Sequence, residues 1–226
     1  MKIIVVIPAY NEAQSIAKVI AEIPDFVFEI IVSDNNSTDG TGEIAQKAGA
    51  SVIFASQKGY GSACLEALKY IKNNIGDVDV VVFLDGDYSD YPAQMSGLID
   101  KINEGFDLVI GSRKLGLREK GSMTAPQIFG NWLACTLMRL FYQSKFTDLG
   151  PFRAIKYQQL LALEMSDTDF GWTVEMQLKA IHQKLLYTEV AVDYKNRIGK
   201  SKISGTVKGV LGAGFKIIYL IFKYRK

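Results

Sequence analysis

Through residues 1–111, short runs rich in β-branched residues alternate with stretches of helical periodicity. The runs are Ile3 to Ile7, Ile30 to Val32, Val52 to Phe54, Val78 to Leu84 and Leu108 to Ile110, each too short for a helix. Between them Ile16, Val19, Ile20 and Ile23, then Cys64, Leu65, Leu68 and Ile71, then Met95, Leu98, Ile99 and Ile102 fall at spacings that place one apolar face on a helix. Parallel strands need a crossover connection, most often a helix, so this series predicts an α/β fold with a mostly parallel sheet flanked by helices. Ligands of such sheets gather at the carboxyl ends of the strands, and the loops there are where chemistry is expected.

Beyond Gly111 the alternation stops. A loop over 112–126 leads to a long helix around Ile128 to Tyr142, the segment Thr147 to Ile155, a helix from Trp172 to Gln183, and a strand near Leu186 to Tyr194. From Thr206 to Phe222, apolar residues including Val210, Phe215, Ile218 and Phe222 fall at helical spacing, with Lys208, Lys216 and Lys223 on another side. Its longest uncharged apolar run, Ile217 to Phe222, is far short of the roughly 20 residues of a membrane span. The chain therefore divides into an α/β domain over 1–205 and a basic amphipathic helix over 206–226.

Charge supports that division. Residues 195–226 hold nine Lys and Arg and no acid, leaving 17 basic against 24 acidic residues in the body. A basic amphipathic tail suits an anionic membrane surface, the alternative being that its apolar face packs on the protein itself. Cys64 and Cys135 lack CxxC spacing and read as buried free thiols of a reducing compartment. The opening run is too short for a signal peptide, so a cytoplasmic protein peripheral to the inner membrane face is expected, with no nucleic-acid partner.

Three strand ends carry polar chemistry. The first ends in Pro8-Ala9-Tyr10-Asn11-Glu12 and the second in Asp34-Asn35-Asn36-Ser37-Thr38-Asp39-Gly40. Adjacent carboxylates and amides can accept from a nucleobase edge and a ribose, although the same residues also serve as turn formers and helix caps. After the fourth strand comes Asp85-Gly86-Asp87, two carboxylates delivered by a buried apolar run. Hard cations such as Mg2+ or Mn2+ are held by one or two carboxylates together with substrate phosphates. Such an ion neutralises a diphosphate leaving group.

Together these segments resemble family 2 glycosyltransferases of the GT-A fold. Gly111-Ser112-Arg113, Gly130-Asn131, Thr147 to Arg153 and Arg197-Ile198-Gly199-Lys200-Ser201-Lys202 are further similar to the dolichyl-phosphate mannose synthase branch. The resemblance implies a metal-dependent, inverting transfer of sugar from a UDP- or GDP-linked donor to a polyprenyl phosphate. It implies a donor site from Pro8, Ala9, Tyr10, Glu12, Asp34, Asp39, Lys58, Gly59, Asp85 and Gly86, and a metal at Asp85 and Asp87. Arg113, Asp148, Arg197 and Lys200 are then the catalytic candidates. The chain departs from that branch at Ala125 to Phe129, which offers no cation before the Gly-Asn pair, and at Ser89, a weak metal ligand.

A phosphate acceptor, mostly dianionic at neutral pH, attacks without a base, whereas a sugar hydroxyl needs one, for which Asp148 and Glu175 are the candidates. His182, the only histidine, reads as a solvent-facing helix residue. Three other readings compete with this one. A dinucleotide-binding fingerprint at Gly59-Tyr60-Gly61 lacks its third glycine, where Cys64 stands, and follows the wrong strand. A non-catalytic membrane scaffold conflicts with the paired carboxylates. A soluble saccharide acceptor keeps the enzyme and changes only its partner.

Overall fold

All seven residues of β1 (Ile3–Ala9) are buried, which requires layers on both faces and neighbours on both edges. The computed structural model, which describes residues 1–199 and 207–225, supplies them. The strands β1, β2 (Glu29–Asp34), β3 (Ser51–Phe54), β4 (Val80–Phe83), β5 (Leu108–Ser112), β6 (Arg153–Lys156) and β7 (Tyr187–Ala191) form one sheet in the order β3-β2-β1-β4-β6-β5-β7. Every pairing is parallel except those of β6, which runs antiparallel between β4 and β5. The expected GT-A-like architecture of a mostly parallel sheet flanked by helices is therefore what forms.

The helices are α1 (Ile16–Ala21), α2 (Thr41–Lys47), α3 (Tyr60–Tyr70), α4 (Met95–Asn103), α5 (Ala125–Tyr142), α6 (Tyr157–Ala162), α7 (Trp172–His182) and α8 (Val207–Lys223). Two apolar clusters lie against the sheet. Ile4, Val6, Val81 and Phe83 point into one, with Cys64, Met138, Trp172 and Leu178. Val5, Ile7, Val80 and Val82 point into the other, with Ile16, Leu98 and Ile99. This period-two division is what a strand buried on both faces dictates. Cys64 and Cys135 are free and buried.

Three elements went unassigned in the sequence: α2, α6 and β6. The last overlaps the end of Thr147 to Ile155; only four residues, Arg153–Lys156, are extended, and the pattern is too short to show a direction. Its place is set by its partners, with Phe83 and Ile110 both opposite Arg153. Because β6 runs against its neighbours, it begins at the edge where they end. The segment just before it, Thr147 to Phe152, is thereby brought to the ligand-binding edge.

The C-terminal helix docks on α5 and α7 through buried Leu220 and Ile221. The Tyr142 hydroxyl donates to the Ile221 carbonyl, Phe141 meets Phe222 at 5.3 Å between ring centroids, and Arg225 lies 4.4 Å over the Phe141 ring. Burying each aliphatic side chain contributes about 1.5–3 kcal/mol. The expectation that this apolar face meets a membrane surface is corrected here: its C-terminal part is turned onto the protein, while Phe215 and Tyr219 face outward. Among the described residues no helix is long and apolar enough to cross a membrane.

Candidate active site

The strand order places the ends of β2, β1 and β4 side by side, with Ala9 in register with Asp34. Around them lies a cavity of about 300 Å³. Pro8, Ala9, Tyr10, Glu12, Lys58, Gly59, Asp85, Gly86, Asp87 and Arg197 all line it. Segments separated by as many as 185 residues therefore meet at one sheet edge, as the Arg197–Glu12 pair shows.

Asp34 and Asp39 do not line the cavity; they build the loop beside it. The Ser37 amide donates to Asp34 Oδ1 at 2.9 Å. Asp39 accepts from the Ala13 amide at 3.1 Å and from the Thr41 hydroxyl at 2.5 Å, tying the first two loops together. The cavity wall is instead Asn35, whose amide nitrogen donates to the Ala55 and Gln57 carbonyls at 3.1 and 2.7 Å. Its oxygen accepts from the Gly59 amide at 2.8 Å. Asp169 and Phe170 complete the wall from the turn before α7. Sequence reasoning missed all three, and only Asn35, next to a motif residue, carried a signal.

Glycine is required where these walls touch. Gly59 has φ +132°, and a Cβ on it would lie 2.2 Å from the Thr168 carbonyl oxygen. A Cβ on Gly61 would lie 2.0 Å from the Asp167 carbonyl oxygen. The glycines that suggested a dinucleotide fingerprint serve close approach of the α3 terminus to the turn before α7.

Asp85 and Asp87 sit together at the end of β4. Asp87 Oδ1 accepts from the Ser89 amide at 2.9 Å and the Ser89 hydroxyl at 2.5 Å. Its Oδ2 pairs with Arg197 Nη1 at 2.9 Å, and Arg197 Nη2 reaches Glu12 Oε1 at 2.9 Å. Asp85 Oδ1 is buried and has no hydrogen-bond partner among the described residues. Burial first, and the Asp87 charge second, push the Asp85 carboxyl up to about 7, against the pull of Arg113 and Arg197. Asp90, three positions on and also missed in the sequence, is 2% exposed with both oxygens unpartnered among the described residues. Burial and the charges of Asp85 and Asp87 hold its carboxyl well above the usual range.

These atoms fit a divalent cation. A buried carboxylate beside a second carboxylate is costly unless something positive meets it, and the neighbouring Tyr60 hydroxyl offers a dipole but no charge. Among the described residues no group of three His, Cys, Asp or Glu side chains forms a complete cage. That suits an ion held by one or two carboxylates and by the substrate's own phosphates.

Arg113 and Asp148 form a second centre. Arg113 donates from Nε to Asp148 Oδ2 at 2.8 Å, from Nη2 to Oδ1 at 2.6 Å, and from its backbone amide to Oδ2 at 2.8 Å. Both carboxylate oxygens are thus engaged by one buried guanidinium, which disfavours Asp148 as a base. Burial opposes the Arg113 charge, yet the facing carboxylate holds its pKa above the ordinary value. The turn carrying Asp148 is fixed on three sides: Asn131 Oδ1 accepts from Leu149, Glu189 from Thr147 and Asp148, and Gln177 donates to the Asp148 carbonyl. Asp148 also lines a second cavity of about 260 Å³, with Lys114, Arg118, Arg139, Asn131 and Thr147 as polar lining and Ile128, Trp132 and Met123 as apolar lining.

Glu175, the other candidate base, is 1% exposed and accepts from the Ser166 hydroxyl at 2.7 Å and the Asp167 amide at 2.8 Å. It organises the turn before α7 and lines neither cavity. His182 is exposed on α7 and meets the Tyr224 carbonyl at 2.9 Å. Lys200, Ser201 and Lys202 lie outside the described residues.

Residues 4–161 match the family described as "Glycosyl transferase family 2", and the chain belongs to it. It is an enzyme of the glycosyltransferase class. It is 33% identical over 192 residues to glycosyltransferase AglJ of Haloferax volcanii, covering 84% of this chain but only 62% of that one. It is 32% identical over 209 residues to the dolichyl-phosphate hexose transferase of the same organism, covering 88% and 85%. The fold superposes, with TM-score 0.77, 21% identity and coverage of 99% of this chain and 80% of the other, on glucosyl-3-phosphoglycerate synthase from Mycobacterium tuberculosis in complex with Mn2+, UDP and glucosyl-3-phosphoglycerate.

The expected place in the dolichyl-phosphate mannose synthase branch is corrected by that superposition. Over nearly its whole length the chain has the architecture of an enzyme whose acceptor, phosphoglycerate, is soluble. Three sequence relatives carry lipid-phosphate names, an undecaprenyl-phosphate mannosyltransferase, a dolichyl-phosphate hexose transferase and a polyprenol monophosphomannose synthase, but the C-terminal part of the helix expected to meet a membrane is docked on the protein itself. The polyprenyl-phosphate acceptor does not carry over.

Proposed function

We propose that this enzyme transfers a sugar from a nucleoside diphosphate, bound with Mg2+ or Mn2+ in the first cavity, to a soluble acceptor with an anionic group, bound in the second. The observation that carries this reading is the meeting of Asp85, Asp87 and Arg197 at the end of β4, where a carboxylate pair and a guanidinium face one cavity. UDP and Mn2+ in the structurally similar synthase support the donor and ion classes.

Asp85 and Asp87 would hold the ion. When bound, it supplies positive charge to the departing diphosphate. The chain's own part is to position two anions. Pro8 to Tyr10, Asn35 and Gly59 form the walls against which the nucleotide lies, and Arg197 and Lys58 face its phosphates. On the acceptor side, Lys114, Arg118 and Arg139 set a positive field around a small opening, and Trp132 gives it an apolar wall. Placing an anionic acceptor there fixes its orientation towards the donor, and such positioning is one source of the rate gain of a two-substrate transfer.

The test is release of nucleoside diphosphate by purified enzyme with Mn2+, UDP- and GDP-sugars, and a panel of soluble phosphorylated or carboxylated hydroxyl acceptors, 3-phosphoglycerate among them. Acceptor-dependent release with one of these is expected. Turnover with polyprenyl phosphate alone would overturn the acceptor assignment.

A further inference from the structure

The turn before α7 forms a wall of the first cavity, yet it has little apolar anchorage of its own. Asp169 and Phe170 face the cavity. Behind them Asp167, 6% exposed, holds the turn's shape: its Oδ1 accepts from the Asp169 and Gly171 amides, both at 2.9 Å. Its Oδ2 is met from outside by Lys216 of α8, at 2.8 Å. The same turn is pressed onto the start of α3, where the Ser62 amide donates to the Thr168 carbonyl at 2.8 Å.

The C-terminal helix closes this arrangement from the other side. A Cβ on Gly171 would lie 2.3 Å from Leu220 Cδ1 and 2.5 Å from Asp167 Oδ2, so helix, turn and α7 meet without spare room. Tyr224, one turn beyond Leu220, donates to Glu175 Oε1 at 3.2 Å, and Glu175 in turn accepts from Ser166 and Asp167. Lys216 of α8 and Tyr224 just after it therefore grip the two acids, Asp167 and Glu175, that shape the turn.

We infer that Lys216 is a positioning residue for the donor, holding the Asp167 to Phe170 wall through its ion pair with Asp167. This rests on the reading of the first cavity as the nucleotide site. Lys216 touches no substrate in this role. It neutralises a buried carboxylate, and without that charge the Oδ2 atom would seek another donor and pull the turn off α3. The wall of Asp169 and Phe170 would then move away from the nucleotide.

The test compares full-length wild type, Lys216→Met, Lys216→Arg and Asp167→Asn, with UDP and GDP each titrated calorimetrically in the presence of Mn2+, alongside thermal unfolding. Lys216→Met keeps the aliphatic stem and should weaken nucleotide binding about fivefold, a magnitude reduced because the lysine is partly exposed. Donor KM should rise with acceptor KM unchanged, and Lys216→Arg should restore both. Asp167→Asn retains an acceptor for the two amides while losing the charge, and should resemble Lys216→Met. Affinity equal to wild type in both charge-removing variants would overturn the role of Lys216. Failure of the wild type itself to bind either nucleotide would overturn the donor site instead.

Discussion

Arg197 Nη1 lies 2.9 Å from Asp87 Oδ2, and the same guanidinium reaches Glu12 with its other nitrogen. A cation carried by the chain thus lies against the carboxylate that a divalent ion would use. Ion and guanidinium compete for Asp87 Oδ2, and the diphosphate offers Arg197 a new anion once displaced. Arg197→Gln should therefore bind Mn2+ several-fold more tightly without nucleotide, yet lose about tenfold or more in turnover, because the group facing the phosphates is gone. Calorimetry showing weaker Mn2+ binding in the variant would count against this exchange.

Asp87→Ala should abolish turnover while the fold survives, since Asp87 is held by local turn hydrogen bonds and not by core packing. Circular dichroism like that of wild type, with activity lost at saturating Mn2+, is the expected result. Activity unaffected by the substitution and by excess chelator would remove the ion from the reaction.

Acidity should report on Asp85. Its carboxyl is raised from 3.8 to about 7, so between these values the folded protein holds a proton that the unfolded chain has lost. Stability of the metal-free protein should then fall as pH rises from about 4 to 7 and level off above, by the linkage of proton binding to folding. The same proton must leave before a cation can bind, so Mn2+ affinity should increase across that range. Asp85→Asn should flatten the local contribution, which denaturant midpoints measured from pH 4 to 8 would reveal.

Asp148→Asn separates structure from proton transfer. Breaking one side of a buried bidentate ion pair costs about 3–5 kcal/mol. A large drop in melting temperature is expected, and the folded fraction should keep the wild-type pH profile of kcat because Asp148 has no oxygen to spare as a base. Loss of the basic limb of that profile would restore it as one.

On the donor side, Asn35→Ala should weaken nucleotide binding more than Asp34→Ala. Asn35 spans the Ala55, Gln57 and Gly59 backbone at the cavity wall, whereas Asp34 caps Ser37 beside it. A calorimetric ranking in the opposite order would put the base contact back on Asp34.

The parallel half of the sheet was legible because its central strands, β1 and β4, are buried on both faces and read as continuous apolar runs, while acids and glycines follow at the strand ends. Pro8 to Tyr10, Glu12, Gly59 and Asp85 to Asp87 needed only that frame to converge, whereas Asp34 and Asp39 turned to the loop beside the cavity. What stayed hidden depends on contacts between distant segments. Arg113 and Asp148 are 35 positions apart, and nothing in either neighbourhood shows that one uses up the hydrogen-bonding capacity of the other. The C-terminal helix was legible as a helix but not in its orientation, since an apolar stripe that fits a membrane also fits α5. Asp169 and Phe170 sit in a turn with no motif, and reach the cavity only because Gly59 and Gly61 leave space for it.

The reversed direction of β6 gives the catalytic edge two sources of loops. Those after β1, β2 and β4 leave the sheet there, while the Thr147 to Phe152 segment enters it there, already fastened to α5 through Asn131 and to β7 through Glu189. The edge is therefore built from stretches of chain far apart in sequence, and they also touch beyond the sheet: the Tyr194 amide donates to the Leu117 carbonyl and the Asn196 amide to Glu119. Replacing residues 114–152 would remove Leu117 and Glu119, which hold the 193–197 segment that brings Arg197 into the first cavity, so neither cavity can be exchanged without refitting the other.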